Sequence, residues 1–133
     1  MDTLIIEKKN EVYITVDCDP NIQRELSEFF TFYVPGYKFM PAFRNRMWDG
    51  KIRLYSQKTK EIYFGLYPYI RAFAEERDYQ IVTGKDVEIE NKVNKDIVTK
   101  FSNSLGQSFE ARDYQIDAIH HSLKYNRTLL LSP

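Results

Sequence analysis

At 133 residues the chain has the length of one ordinary domain, and its 43% apolar content, with 10 Tyr, 9 Phe and 1 Trp, suffices to build a core. One cysteine, Cys18, excludes an internal disulfide and fits a reducing compartment. The net charge is zero, 19 Lys and Arg against 19 Asp and Glu, which excludes a uniformly basic binder of polyanions.

Thr3–Lys8 and Val12–Asp17 are rich in Ile, Val, Thr and Tyr and predict two strands joined by a turn at Lys9-Asn10-Glu11. Asp19-Pro20 opens a helix: Asp caps free N–H groups, and Pro at the first helical position forfeits no hydrogen bond. Ile22, Leu26, Phe29, Phe30 and Tyr33 continue as one apolar stripe, so the helix is predicted to run to Pro35-Gly36. Lys51–Tyr55 alternates cations with Ile52 and Leu54. Gln57-Lys58-Thr59-Lys60 reads as a turn and Glu61–Leu66 as the return strand, pairing with Lys51–Tyr55.

Pro68 opens a second helix with Ile70, Phe73 and Ala74 inward, and Tyr79–Thr83 is a further short strand. The charged segment 85–95 reads as linker, with a short extended piece at Val87–Ile89. Asn94 caps a third helix with Ile97, Val98, Phe101 and Leu105 inward and Gly106 at its left-handed end. Arg112-Asp113-Tyr114-Gln115 then starts a helix to Tyr125, with Tyr114 expected inward, and Thr128–Leu131 follows as an apolar strand ending in Ser132-Pro133. The expected class is α+β: a small domain with a mainly antiparallel sheet and two helices over residues 1–84, a linker and connecting helix over 85–107, and a further helix and strand over 108–133.

Charge is concentrated between Tyr37 and Lys60. Lys38, Arg44, Arg46, Lys51, Arg53, Lys58 and Lys60 stand against Asp49 alone, a net +6 that leaves −6 for the remainder. Such an island suits a polyanion-facing surface, because Lys and Arg supply the phosphate contacts that dominate nucleic-acid affinity. Aromatic residues are interleaved with these cations. Trp48, in Trp-Asp-Gly, reads as a core or turn anchor ahead of a DNA wedge, while Phe43 and Tyr55 stay open between core and base stacking. In the second segment Gln115 has an amide able to pair with the adenine edge, and Arg112 a guanidinium able to stack on the base. Cys18 reads as a strand-end or loop thiol and Glu75-Glu76-Arg77-Asp78 as a solvated helix face. His120 and His121 point about 100° apart on a helix and make no joint metal site.

The stretch Phe43-Arg44-Asn45-Arg46-Met47-Trp48-Asp49-Gly50-Lys51-Ile52-Arg53-Leu54, with the preceding Glu25-Leu26-Ser27-Glu28-Phe29-Phe30, resembles the N-terminal region of the UvsW-type superfamily 2 helicases of T-even-type phages. The order is similar too: a small domain, a linker, a Tyr-Gln helix, then an apolar strand, as where a RecA-like motor approaches its phosphate loop. Arg112-Asp113 before Tyr-Gln departs from the pattern. The resemblance implies an N-terminal DNA-engaging domain leading into the start of a motor, with residues 108–133 its first helix and strand. It implies a parent that uses ATP and Mg²⁺ to remodel junctions and R-loops in recombination, repair and replication. DNA, duplex or branched, is the implied partner. The alternative is a module docking the helicase onto a recombination or single-strand-binding protein. The chain has no Gly-Lys-Ser/Thr, so it is expected to end before the phosphate loop, to bind no ATP or metal and to be inactive alone. No segment resembles a signal peptide or a membrane span, so the expected place is the cytoplasm, that of the host cell for a phage protein.

Overall fold

A computed structural model describes residues 2–131, which form one compact unit reaching Val87 and a second from Glu88 onward. In the first unit, β1 (Thr3–Lys8) and β2 (Tyr13–Asp17) form the predicted antiparallel hairpin, with Ile6 opposite Val16. Asn10 holds the turn: its Oδ1 accepts the Val12 and Tyr13 N–H groups at 2.9 and 2.7 Å. Helix α1 (Pro20–Phe29) starts as expected, the Asp19 carboxylate accepting the Asn21 N–H at 3.0 Å.

The end of α1 differs from expectation. The helix stops at Phe29, and Thr31–Tyr33 is a strand, β3, paired antiparallel with β4 (Lys51–Arg53) so that Tyr33 lies opposite Lys51. The apolar stripe continues through Tyr33, but Thr31-Phe32-Tyr33 is β-branched and aromatic, and a strand partner from 20 residues downstream satisfies its backbone. This pairing displaces the predicted hairpin of Lys51–Tyr55 with Glu61–Leu66. β5 (Glu61–Tyr63) pairs with β2 instead, Ile62 opposite Ile14, and only an isolated bridge between Ser56 and Glu61 remains of the expected ladder. The return strand is also shorter than predicted, since Phe64–Leu66 forms a 3-10 turn.

Helix α3 (Tyr67–Glu76) buries Tyr67, Ile70, Phe73 and Ala74 and delivers the chain to β6 (Gln80–Thr83), parallel to β1. The sheet order is β5-β2-β1-β6, mainly antiparallel as expected. A short helix, α2 (Pro41–Arg44), lies between β3 and β4. Alternation along the strands sends Leu4, Ile6, Ile14, Val16 and Ile62 into a core with Ile22 and Leu26 of α1 and Ile70 and Phe73 of α3. Burying each such side chain stabilises the fold by about 1.5–3 kcal/mol. The opposite sheet face carries Ile5, Val82 and Tyr63, all exposed, with Tyr63 stacked on Tyr13 at 5.0 Å.

In the second unit, α4 (Lys95–Ser104) is capped by Asn94, whose Oδ1 accepts the Asp96 N–H at 2.9 Å. Gly106 follows at φ +62°, as expected. Helix α5 (Asp113–Tyr125) packs on α4, with Val98 and Ile116 buried and a Lys95–Asp117 ion pair between the helices. Ile97, Phe101 and Leu105, expected inward, are exposed, because α5 covers only the Val98 side of α4. Val87–Ile89 forms no strand, although Val87 packs against the first unit's core. Residues 128–131 form no strand either, and Leu129, Leu130 and Leu131 are exposed. A strand needs a neighbouring ladder, and none of the described residues offers one there. Ser132-Pro133 lies outside the described residues. Among those residues no helix is long and apolar enough to cross a membrane.

Candidate nucleic-acid interface

The basic island divides into a rigid projecting segment and a set of structural cations. Gly36 begins the segment in the left-handed region, φ +75°, and residues Tyr37–Phe39 form a 3-10 turn. The Tyr37 ring is clamped: it stacks on Tyr33 at 4.7 Å and meets the Phe43 ring edge-on at 4.8 Å. Beneath it lies Gly50, buried and at φ +79°. A Cβ on Gly50 would fall 2.8 Å from Tyr37 Cγ, so the close approach requires glycine. Phe43 is therefore a half-buried packing residue of this segment.

Two backbone hydrogen bonds close the loop after α2. Met47 and Trp48 both donate N–H to the Ala42 carbonyl, at 2.9 and 3.2 Å, while Arg46 takes φ +56°. Trp48 is half-buried, and its Nε1 donates to the Lys51 carbonyl at 2.9 Å, so it anchors the turn into β4. Asp49 accepts the Lys51 N–H at 3.1 Å and an Arg53 Nη2–H at 2.5 Å. The Arg53 hydrogen bond first, then the Lys51 N–H, holds the Asp49 carboxyl below its ordinary range.

These contacts sort the seven cations. Arg53 is paired with Asp49, and Lys60 with Asp17 at 2.7 Å. Lys60 also sits at φ +58° and accepts the Val16 N–H at its carbonyl, which makes it part of the sheet's edge. Lys51 lies over the Tyr33 ring at 5.0 Å and Lys38 over the Tyr37 ring at 5.9 Å. Lys38, Arg44, Arg46 and Lys58 are exposed, and neither they nor Lys51 have a carboxylate partner among the described residues. Arg44 and Arg46 line an open concavity of about 550 Å³ with Phe43, Met47, Trp48 and Asp49. Lys51 and Arg53 line a second, of about 380 Å³, with Thr31 and Tyr33 on the β3–β4 ribbon. Lys58 stands apart, in the turn before β5.

Tyr55, left open between core and stacking, is core: it is buried and its hydroxyl donates to the Val16 carbonyl at 3.0 Å. Burial pushes its phenol pKa well up. Cys18 is half-buried at the end of β2, and burial, reinforced by Asp17, pushes its thiol up to about 11. The charged end of α3 is more than a solvated face, since the Arg77 guanidinium lies 4.1 Å from the Phe73 ring centroid and pairs with Glu25. Sequence reasoning passed over Phe39 and Met47, which project from the rigid segment. For Phe39 the available signal was Gly36 and Pro41 bracketing a stretch too short for a buried helix; Met47 had none.

In the second unit Gln115 and Arg112 stand together at the start of α5. Gln115 Oε1 accepts the Arg112 N–H at 3.0 Å and its own N–H donates to the Arg112 carbonyl at 2.9 Å, an arrangement that caps the helix. Arg112 Nη1 lies 3.5 Å from the Tyr114 hydroxyl. Tyr114, expected inward, is exposed, because Ile116 takes the inward position on α4. His120 Nε2 donates to the Val93 carbonyl at 2.9 Å, and His121 packs on Tyr125. No group of three or more His, Cys, Asp or Glu among the described residues could hold a metal ion.

Known proteins match this arrangement. A family model described as DNA helicase UvsW, N-terminal, matches residues 5–84. The chain is 28% identical over 126 residues to the ATP-dependent DNA helicase uvsW of Enterobacteria phage T4, covering 91% of this chain and 25% of that protein. Two solved structures are similar. The crystal structure of the UvsW helicase from bacteriophage T4 has a TM-score of 0.84 and 27% identity, over all of this chain and 48% of that one. A second crystal structure of T4 UvsW has a TM-score of 0.80 and 26% identity, over 96% of this chain and 26% of that one. The chain thus spans a quarter of the length of its curated relative. Because the family match takes in more than half of the chain, from within β1 to just past β6, this protein belongs to the UvsW helicase N-terminal family.

Proposed function

We propose that the first unit grips DNA through its phosphates, with little sequence preference, as the DNA-engaging part of an ATP-dependent helicase that remodels junctions and R-loops in recombination, repair and replication. The observation that carries this reading is the exposed set Lys38, Arg44 and Arg46, with the half-buried Lys51 beside it, none of which has a carboxylate partner among the described residues. A merely solvated stretch would intersperse carboxylates; between residues 37 and 60 Asp49 alone does so, and it is committed to Arg53, while Glu28 borders only the concavity of Lys51 and Arg53. Lys58, in the turn before β5, is a further exposed cation, while Arg53 and Lys60 are engaged by Asp49 and Asp17. In a helicase of this family that carries a phosphate loop, Gln115 and Arg112 contact the adenine of ATP, with Mg²⁺ and the phosphates held by that loop. By itself the chain hydrolyses no ATP. Gln115 now caps α5 through Oε1, so its amide must turn to reach a base.

Salt-dependent DNA binding by the 133-residue chain tests the phosphate grip. Replacing Lys38, Arg44, Arg46 and Lys51 together by Gln should lower the log–log salt slope by roughly 3–4, at about 0.9 per duplex phosphate contact. Asp49→Asn should act in the opposite direction. The amide still accepts the Lys51 N–H but releases Arg53, so the slope should rise by about 0.9 if Arg53 then takes a phosphate. An unchanged slope in the quadruple variant would reject the phosphate grip and favour docking onto a recombination or single-strand-binding protein.

A further inference from the structure

Phe39 and Met47 are 85% and 81% exposed, the most exposed large apolar side chains described in the first unit. Neither is on a loose loop. Phe39 ends the 3-10 turn whose Tyr37 is clamped by Tyr33, Phe43 and Gly50, and its own N–H donates to the Gly36 carbonyl at 3.0 Å. Met47 follows the left-handed Arg46 and is fixed by the hydrogen bond from its N–H to the Ala42 carbonyl. Each adjoins in sequence a cation with no carboxylate partner among the described residues, Lys38 before Phe39 and Arg46 before Met47, and residues 37–48 contain no carboxylate.

Rigid apolar tips flanked by cations fit a polyanion that offers apolar faces. Nucleic acid with exposed bases has both properties. Intact duplex does not, because its bases are stacked, and forcing a side chain between them costs a few kcal/mol per step. At a fork or junction that cost is already met. We propose that Phe39 and Met47 contact unpaired or unstacked bases at a DNA branch point, while Lys38, Arg44 and Arg46 hold the adjoining phosphates. This rests on the phosphate-gripping reading and adds a structure preference to it. The bracing matters because a preformed tip loses little conformational entropy on binding. Aromatic stacking is tolerant of sequence, which matches a protein that meets branch points anywhere.

The test uses the 133-residue chain with two DNA probes: a forked DNA carrying 2-aminopurine at the branch, and a blunt duplex of equal length. The wild-type chain should bind the fork more tightly and change the 2-aminopurine emission. Phe39→Ala with Met47→Ala should lower fork affinity about 5- to 100-fold and abolish the emission change. It should leave blunt-duplex affinity and the salt slope unchanged. Lys38→Gln with Arg44→Gln and Arg46→Gln should instead weaken both probes and flatten the slope. Trp48 emission checks that each variant keeps the segment folded. If the apolar pair of substitutions leaves fork binding and the 2-aminopurine signal intact, the branch-point contact is wrong and the phosphate grip stands. An apolar tip that instead packs on another protein surface gives that same result. If the wild-type chain binds neither probe, the phosphate grip itself falls, and this inference with it.

Discussion

Gly36 and Gly50 form a natural pair for measuring how firmly the projecting segment is braced. Both have left-handed backbones, φ +75° and +79°, but nothing lies within 4 Å of the position a Gly36 Cβ would take. At Gly50 the same atom meets the Tyr37 ring, 2.8 Å from Cγ and 3.1 Å from Cε2. Gly36→Ala should therefore cost only the backbone term, about 1–2 kcal/mol. Gly50→Ala carries that term plus the overpacking of a fixed ring, a further ~1–3 kcal/mol. Tyr37 cannot swing away without giving up its stacking on Tyr33 and its edge contact with Phe43. Trp48, the single tryptophan, sits two residues from Gly50, so its fluorescence reports this region during urea unfolding. The expected result is an ordered series in the Trp48-detected midpoint, wild type above Gly36→Ala above Gly50→Ala. At 1.4 kcal/mol per factor of ten, that further ~1–3 kcal/mol separates the two variants by about 5- to 150-fold in unfolding constant. Equal midpoints would mean that Tyr37 is not clamped and that the tip is not preformed.

Two further outcomes follow from buried groups. Tyr55→Phe removes the partner of the Val16 carbonyl inside the core and should destabilise the first unit by about 1–3 kcal/mol in urea melts; an unchanged midpoint would show that carbonyl to be otherwise satisfied. With its thiol pushed up to about 11, Cys18 should react with a disulfide reagent at pH 8 at least tenfold more slowly in the native chain than in urea, and stability owed to the neutral thiol should be full below about pH 9 and fade as pH rises through 11; equal native and denatured rates would contradict the shift.

Local chemistry made much of the fold legible. The β1–β2 hairpin, the Asp19-Pro20 start of α1, the inward face of α3 and the Asn94 cap of α4 depend on neighbouring residues, and each stands where the sequence places it. The errors share one cause, pairing with a distant partner. Phe29, Phe30 and Tyr33 keep a helical spacing, yet the backbone of Thr31–Tyr33 bonds to Lys51–Arg53. Lys51–Tyr55 and Glu61–Leu66 flank a good turn, yet β4 pairs with β3, and β5 buries Ile62 by joining β2. Periodicity reports which face of an element is apolar, not which other element will cover it. The same limit applies to α4, where Ile97 and Phe101 have the right spacing for burial and yet are exposed, since none of the described residues covers that side of the helix.

The basic island shows the corresponding limit for a site. A count of charges treats Arg46 and Lys60 alike, and both even share a left-handed backbone, at φ +56° and +58°. Non-glycine residues so placed cost of order 1–3 kcal/mol each, and something in the structure must offset that. For Lys60 the offset is structural: its carbonyl accepts the Val16 N–H at 2.8 Å and its ammonium pairs with Asp17, 43 residues away in sequence. For Arg46 the backbone is also held, by the Met47 and Trp48 N–H groups on the Ala42 carbonyl, but the guanidinium has no partner among the described residues and lines an open concavity. Lys60 uses its strain to close a sheet edge. Arg46 uses the same strain to turn a cation and the following Met47 outward, where the fold itself has no use for them. That asymmetry, invisible in the count, separates the cations tied into the fold from those with no carboxylate partner among the described residues.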